Sequence, residues 1–230
     1  MNLLSSAALR ELRAVIDERS EGSPPRSTSL EIPRGARDDG AGGATQGRVL
    51  VFRSGRDHIF AAGADMAEMA GFSAAEARAF ARLGQETFAA IERLPFVTVA
   101  IIDGDCFGGA LDLVLSFDLR FATPRARFAH PGARLGIVTG FGGTSRWRKA
   151  LDRPAARRLF LGNEVLSAAD AHALGVVDCV AESFDDELAR LAALDPATTR
   201  FVKELARAGE RLSPSQLALL GGRLGGVYFG

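Results

Sequence analysis

Two short glycine-bearing segments hold the residue types that chemistry beside a carbonyl group would need. The first, Phe60-Ala61-Ala62-Gly63-Ala64-Asp65, comes just after a strand. The second, Gly104-Asp105-Cys106-Phe107-Gly108-Gly109-Ala110-Leu111-Asp112, runs from a strand into a helix. Small residues let a ligand approach the backbone, and a helix start leaves N–H donors free at the positive end of its dipole. Asp112 follows near that start, where it either exchanges protons or caps the helix by hydrogen bonding. Neither segment is the phosphate loop Gly-x-x-x-x-Gly-Lys-Ser/Thr or the dinucleotide fingerprint Gly-x-Gly-x-x-Gly. Taken singly, each is also what a tight turn without chemistry looks like. Of the histidines, His130 sits at a strand end and titrates near neutrality, while His58 and His172 read as surface residues. Asp65 reads as an organiser of its loop and Asp118 as structural.

The elements that must position these residues follow from periodicity. Leu9, Leu12, Val15 and Ile16 trace one face of a first helix, behind possible caps at Ser5 and Ser6. Residues 21–48 carry six glycines and three prolines in 28 positions and few apolar side chains, so a flexible insert is expected there. Residues 48–53 and 96–102 read as buried strands, with Gly104 marking the turn after the second. Ser73-Ala74-Ala75-Glu76 is a capping box for a helix whose face is Phe80, Leu83, Thr87, Phe88 and Ile91. Short strands are expected at 119–122 and 127–130 around a Pro124 turn. Helices follow at about 144–151, 154–161, 167–174 and 184–206, with an apolar Gly175-Val176-Val177 among them. Strands alternating with helices predict an α/β layer fold.

Composition narrows the classes. The chain has 230 residues, 47% of them apolar, which is enough for a sizeable core and rules out wholesale disorder. Its 28 basic and 28 acidic side chains cancel, so no electrostatic footprint for nucleic acid or an acidic membrane is visible. Cys106 and Cys179 are too few for a disulfide framework and lack zinc-ligand spacing, so reduced thiols and no metal are expected. The first residues are not a secretory signal, and no apolar run nears the roughly 18 residues of a membrane span. A cytoplasmic protein is the resulting expectation.

Taken together and in order, the two segments resemble the crotonase (enoyl-CoA hydratase/isomerase) superfamily. The likeness continues through Phe117-Asp118-Leu119-Arg120, Phe128-Ala129-His130-Pro131, Leu135-Gly136-Ile137, Gly140-Phe141-Gly142-Gly143-Thr144 and Ala168 to Val177, covering roughly residues 49–180. The resemblance implies an α/β spiral of ββα units closed by C-terminal helices. It divides the chain into a helix at 1–20, the 21–48 insert, an acyl-CoA core at 49–182 and a helical, oligomerising region at 183–230. It further implies homotrimers or hexamers, an acyl-CoA thioester substrate and a place in fatty acid metabolism. No cofactor is implied beyond the coenzyme A that the substrate carries.

The family's oxyanion donors map onto the backbone N–H groups of Ala64 and Gly109, and its first catalytic glutamate onto Asp112, one methylene shorter. Its second glutamate maps onto Gly132, which has no side chain, and His130 is the candidate substitute. Ala62, Gly63, Asp65, Met66, Gly108, Pro131, Gly132, Leu135 and Phe141 are the substrate-binding candidates, with core packing the alternative for Met66 and Phe141. Met69, Phe72 and Trp147 either line an acyl pocket or belong to the core, and Arg53, Arg56 and Lys203 either meet coenzyme A phosphates or are surface charge. Two strands that help to hold coenzyme A are expected to be missing before the first helix. The closing helices are expected to be short, with trimer contacts altered. Three readings stay open: a hydratase or isomerase, a decarboxylase of a malonyl-type thioester, and an acyl-CoA-binding accessory subunit without acid/base function.

Overall fold

The computed structural model describes residues 3–20, 49–54, 58–209 and 213. The 21–48 insert, Arg56 and Tyr228 lie outside the described residues. Helix α1 (Ser6–Ser20) starts behind Ser5, whose hydroxyl oxygen accepts the Ala8 N–H at 3.1 Å. Its Leu9 and Ile16 are buried against the long helix α3 (Ala74–Glu92). The Ser73–Glu76 capping box that opens α3 is formed in both directions.

The strands fall into two sheets. The first is β1 (Val49–Arg53), β3 (Val97–Ile102), β5 (Leu119–Ala122) and β8 (Cys179–Val180), all parallel, with Val51 beside Val99 and Val99 beside Leu119. The second is β2 (His58–Ala61), β4 (Gly104–Phe107), β6 (Arg127–Ala129) and the antiparallel β7 (Leu166–Ser167). Each pass of the chain thus gives one strand to each sheet before a helix returns it. That return is the crossover parallel strands require. After β2 come α2 (Met66–Met69) and α3; after β4 comes α4 (Gly109–Val114); after β6 come α5 (Gly143–Ala150) and α6 (Arg153–Phe160). The result is the spiral of ββα units that the resemblance implied, continued by α7 (Ala168–Ala173), α8 (Asp185–Ala192) and α9 (Pro196–Gly209).

Strand β3 is buried at all six positions because both its faces are covered. Ala100 and Ile102 join the main core with Phe60, Phe88, Leu111 and Phe128, while Val97, Val99 and Ile101 meet Phe184 and Leu188 at the start of α8. Both cysteines are free, Cys106 buried and Cys179 partly so. Among the described residues no helix is long and apolar enough to cross a membrane.

Two expectations are corrected. Gly104 is not a simple turn but the first residue of strand β4; its φ of +154° lets it pack where a Cβ would lie 2.2 Å from the His58 carbonyl carbon. The single helix expected at 184–206 is two, because Asp195 and Pro196 start a new one: the Asp195 carboxylate accepts the Thr198 N–H at 2.7 Å. The apolar Gly175-Val176-Val177 segment is a turn, with Gly175 at φ +71°, and the last strand comes two residues later.

Candidate active site

The loop after β2 and the start of α4 meet at glycine backbone. Gly63 has φ +92°, and a Cβ there would lie 2.9 Å from the Phe107 carbonyl oxygen and 3.1 Å from the Gly109 nitrogen. Gly108, just before α4, has φ +57° and ψ −126°, a backbone state that side chains disfavour. A Cβ on Gly109 would lie 3.5 Å from the Ala64 nitrogen, so the two amide groups are neighbours. The Leu4 N–H donates to the Gly63 carbonyl at 2.8 Å, within a parallel bridge that pairs Leu4 with Ala64. In such a bridge the bonds run to the residues flanking the paired one, which turns the Ala64 N–H away from Leu4. Gly109 opens its helix, so its N–H has no intrahelical acceptor. Asp65 caps α2, accepting the Ala67 N–H at 3.0 Å and the Glu68 N–H at 3.2 Å, and thereby fixes the end of the first loop.

Asp112 lies within α4, whose residues from Ala110 to Val114 are all buried, and it is 0% exposed itself. One oxygen, Oδ2, accepts a short hydrogen bond from the Thr139 hydroxyl. The other, Oδ1, has no hydrogen-bond partner among the described residues and stands 3.7 Å from His130 Nε2, which is likewise buried and unpartnered. Burial pushes the Asp112 carboxyl up to about 7, opposed by the Thr139 hydrogen bond and the Arg146 charge. Burial also lowers the His130 imidazole from its ordinary value, so the pair resists carrying full charge. Arg146 is itself engaged, donating to Glu92 at 2.6 Å and to the Phe141 carbonyl at 2.7 Å. The carboxylate fits because Gly143 faces it: a Cβ there would fall 1.8 Å from Oδ1.

His130 ends the strand segment whose β6 portion stops at Ala129, with its ring 4.5 Å from that of Phe160, centroid to centroid. Trp147 stacks on the same Phe160 at 5.0 Å. Beyond Pro131, Gly132 lacks more than a carboxylate. A Cβ at that position would lie 2.7 Å from the Ile137 carbonyl oxygen and 3.1 Å from the His130 ring. The backbone here leaves no room for a glutamate side chain at this position.

The remaining residues of the expected surround are placed unevenly. Met66 is 50% exposed and Leu135 55%, whereas Phe141 is buried among Phe80, Phe88 and Gly84 and backs Gly109 with its ring edge. Met69, Phe72 and Trp147 pack partly buried against the core. His58 is exposed, and exposed His172 has its Nδ1 3.2 Å from the Val177 carbonyl. Lys203 is neither a phosphate ligand nor a surface charge. It donates to Asp118 at 2.6 Å and to the Phe96 carbonyl at 2.8 Å, while Asp118 also binds the Thr98 N–H and hydroxyl. Arg53 is partly buried, its Nε without a partner among the described residues.

Sequence reasoning passed over Thr139, Arg146 and Gly84, and gave Gly143 no role of its own. Gly84 carried a signal: a glycine in mid-helix marks a close approach, here the Phe141 ring, 2.1 Å from where its Cβ would be. Thr139 carried none.

Residues 42–213 match the family model described as enoyl-CoA hydratase/isomerase. Among solved structures, DspI of Pseudomonas aeruginosa superposes with a TM-score of 0.80 at 26% identity, over 99% of this chain and 87% of that one. An enoyl-CoA hydratase from Bacillus anthracis gives 0.79 at 25% identity, over 96% and 80% of the two chains. An enoyl-CoA hydratase from Thermoplasma volcanium shares the fold, with a TM-score of 0.82 at 22% identity over 99% and 83%.

Proposed function

The chain belongs to the enoyl-CoA hydratase/isomerase family, and from that premise we propose that it acts on an acyl-CoA thioester through an enolate. Ala64 and Gly109 donate their N–H groups to the thioester oxygen as negative charge develops on it. Preorganised backbone donors suit this role because they need no reorganisation when the charge appears; one such donor is worth about 2.7–4 kcal/mol. Asp112 takes the proton from the carbon next to the thioester or returns it, with His130 beside it as the second acid/base group. A carboxyl held near 7 is poised for either direction at neutral pH. Ala62, Gly63, Gly108, Pro131 and Gly132 supply the small or rigid surround, and Met66 and Leu135 the apolar contacts of the acyl chain.

The single observation that carries this reading is the adjacency of the Ala64 and Gly109 amides, followed in α4 by a buried carboxylate with one oxygen unpartnered. Two carboxylates astride a water are how a hydratase adds the elements of water. Gly132 cannot supply the second one, so proton transfer on an enolate fits this site better than hydration. The same observation favours a second reaction, decarboxylation of a malonyl-type thioester. There loss of CO2 leaves the enolate directly and one proton donor completes the turnover.

Assays with crotonyl-CoA, a 3-enoyl-CoA and methylmalonyl-CoA, reading hydration, double-bond migration and CO2 release separately, divide these cases. Double-bond migration or CO2 release exceeding hydration, and lost in Gly109→Pro, is the expected outcome. Thioester binding with none of the three reactions contradicts the enzymatic reading and leaves an accessory binding subunit. A trimeric or hexameric assembly is part of the proposal and is read by sedimentation.

A further inference from the structure

Asp112 and His130 are buried to 0% and 6% exposure, yet each keeps one side-chain atom without a hydrogen-bond partner among the described residues, and those two atoms face each other across 3.7 Å. Buried polar atoms without partners are uncommon, and two such atoms turned toward each other imply a shared occupant. At this separation a bridging water would have to accept a cramped angle, about 80° between two ordinary hydrogen bonds of ~2.8 Å. A shared proton, by contrast, needs about 0.5–1 Å of closure to reach an ordinary hydrogen-bond length. The other ends of both groups are fixed. Thr139 donates to Asp112 Oδ2, the Phe141 N–H reaches the same threonine oxygen at 3.4 Å, and the His130 ring lies against Phe160.

We infer that Thr139 is a positioning residue: its hydroxyl ties down one oxygen of Asp112 and turns the other onto His130, so that the two side chains hold a single proton between them. The pair then has two working forms. With the proton absent, as carboxylate and neutral imidazole, it accepts a proton from the carbon next to the thioester, and the C–H electron pair moves into the enolate. With the proton present it returns that proton to the same or another carbon, and the enolate electrons form the new C–H bond. No other reactant is consumed. The catalytic use of the pair rests on the enolate reading above; the pairing itself does not.

Among the described residues, the charged and titratable groups acting on the pair are few. Arg146 comes from α5 and is neutralised in part by Glu92 of α3, and the buried Cys106 thiol of β4 is pushed well up by desolvation. Neither sits between Asp112 and His130, so a change at Thr139 is read chiefly by those two groups.

The test uses the full chain with labelled histidine imidazoles, the three histidines being assigned by comparison with His130→Gln. The His130 ring signals are expected to show an inflection that reports Asp112 and disappears in Asp112→Asn. Thr139→Val removes a donor that favours the charged carboxylate, so the inflection should move up by about one pH unit. Thr139→Ser should bring it back. A His130 titration that is the same in wild type, Thr139→Val and Asp112→Asn overturns the inference. If Thr139→Val does not fold, an unchanged His130 curve in Asp112→Asn overturns it alone. Coupled titration without solvent-proton exchange on any acyl-CoA supports the pairing and contradicts the enolate reading; exchange with an uncoupled His130 does the reverse.

Discussion

Asp112 and Asp118 are near neighbours in sequence, and the fold treats them in opposite ways. Asp118 is exposed and anchored through one oxygen: the Thr98 N–H and hydroxyl bind its Oδ2, and Lys203 ties the same oxygen to α9. Asp112 is more deeply buried and is given less: one hydroxyl, an unpartnered oxygen, and a histidine at 3.7 Å rather than a bonded cation. A carboxylate that holds a fold together is kept ionised by several donors and a bonded cation. One that exchanges protons keeps an oxygen open and accepts the cost of desolvation.

The sharpest way to break this contrast is to neutralise each aspartate in turn. Asp112→Asn is expected to lower kcat for the acyl-CoA reaction by about 10²–10⁴-fold while leaving thioester affinity nearly unchanged. Asp118→Asn is expected to keep kcat within a few-fold of wild type and to lower stability by about 1–2 kcal/mol in urea unfolding, because Lys203 loses its partner. The reverse pattern would exchange the roles assigned to the two residues.

Gly132→Glu is the next largest. Adding the family's missing carboxylate puts a side chain against the Ile137 carbonyl and the His130 ring, at 2.7 and 3.1 Å from its Cβ. The variant should gain no hydratase activity and lose about 1–3 kcal/mol of stability. Restored hydration of crotonyl-CoA would show that the site's backbone, not its side chains, had been misread. Gly84→Ala should cost a similar 1–3 kcal/mol through the Phe141 ring, and combining it with Phe141→Leu should recover part of the loss.

The remaining effect is one of pH. The folded Asp112 carboxyl, pushed up to about 7, lies above its unfolded value of roughly 3.9. The folded state therefore binds the proton more tightly, and this group's contribution to stability is lost as pH rises between those values. His130 is lowered by burial and acts oppositely, removing stability as pH falls below roughly 6.5. Asp112→Asn removes the first dependence. Its Tm relative to wild type should climb from pH 5 to pH 8, and a Tm difference independent of pH would contradict the raised value.

The same two aspartates mark how far the sequence can be read. The main strands and helices of the spiral follow from apolar runs and the Ser73 capping box. Of the second sheet β6 is expected, but β4 is Gly-Asp-Cys-Phe, too short and too polar to declare itself without a neighbour to pair with. The break between α8 and α9 was legible in Asp195-Pro196, a cap followed by an N-terminal proline, but the apolar face running across it favours one helix. At the site, the types and order of Ala64, Gly109 and Asp112 point to chemistry without any structure. That the amides of Ala64 and Gly109 are neighbours depends on β2 and β4 pairing. Lys203 is far from Asp118 in sequence, and only the packing of α9 shows that it completes a structural pair. Thr139 lies in a loop whose pattern speaks of turns, so its reach to Asp112 is a property of the fold alone.

The most direct measurement of the central claim is deuterium incorporation from D2O into the carbon next to the thioester of a saturated acyl-CoA such as butyryl-CoA. It requires only enolate formation, neither hydration nor an acyl chain of particular length. The wild-type chain should label that carbon, and Asp112→Asn should label it at least a hundred times more slowly. Equal labelling by the two proteins, or none by the wild type while it binds the thioester, would contradict a proton-transferring Asp112 beside an oxyanion site at Ala64 and Gly109.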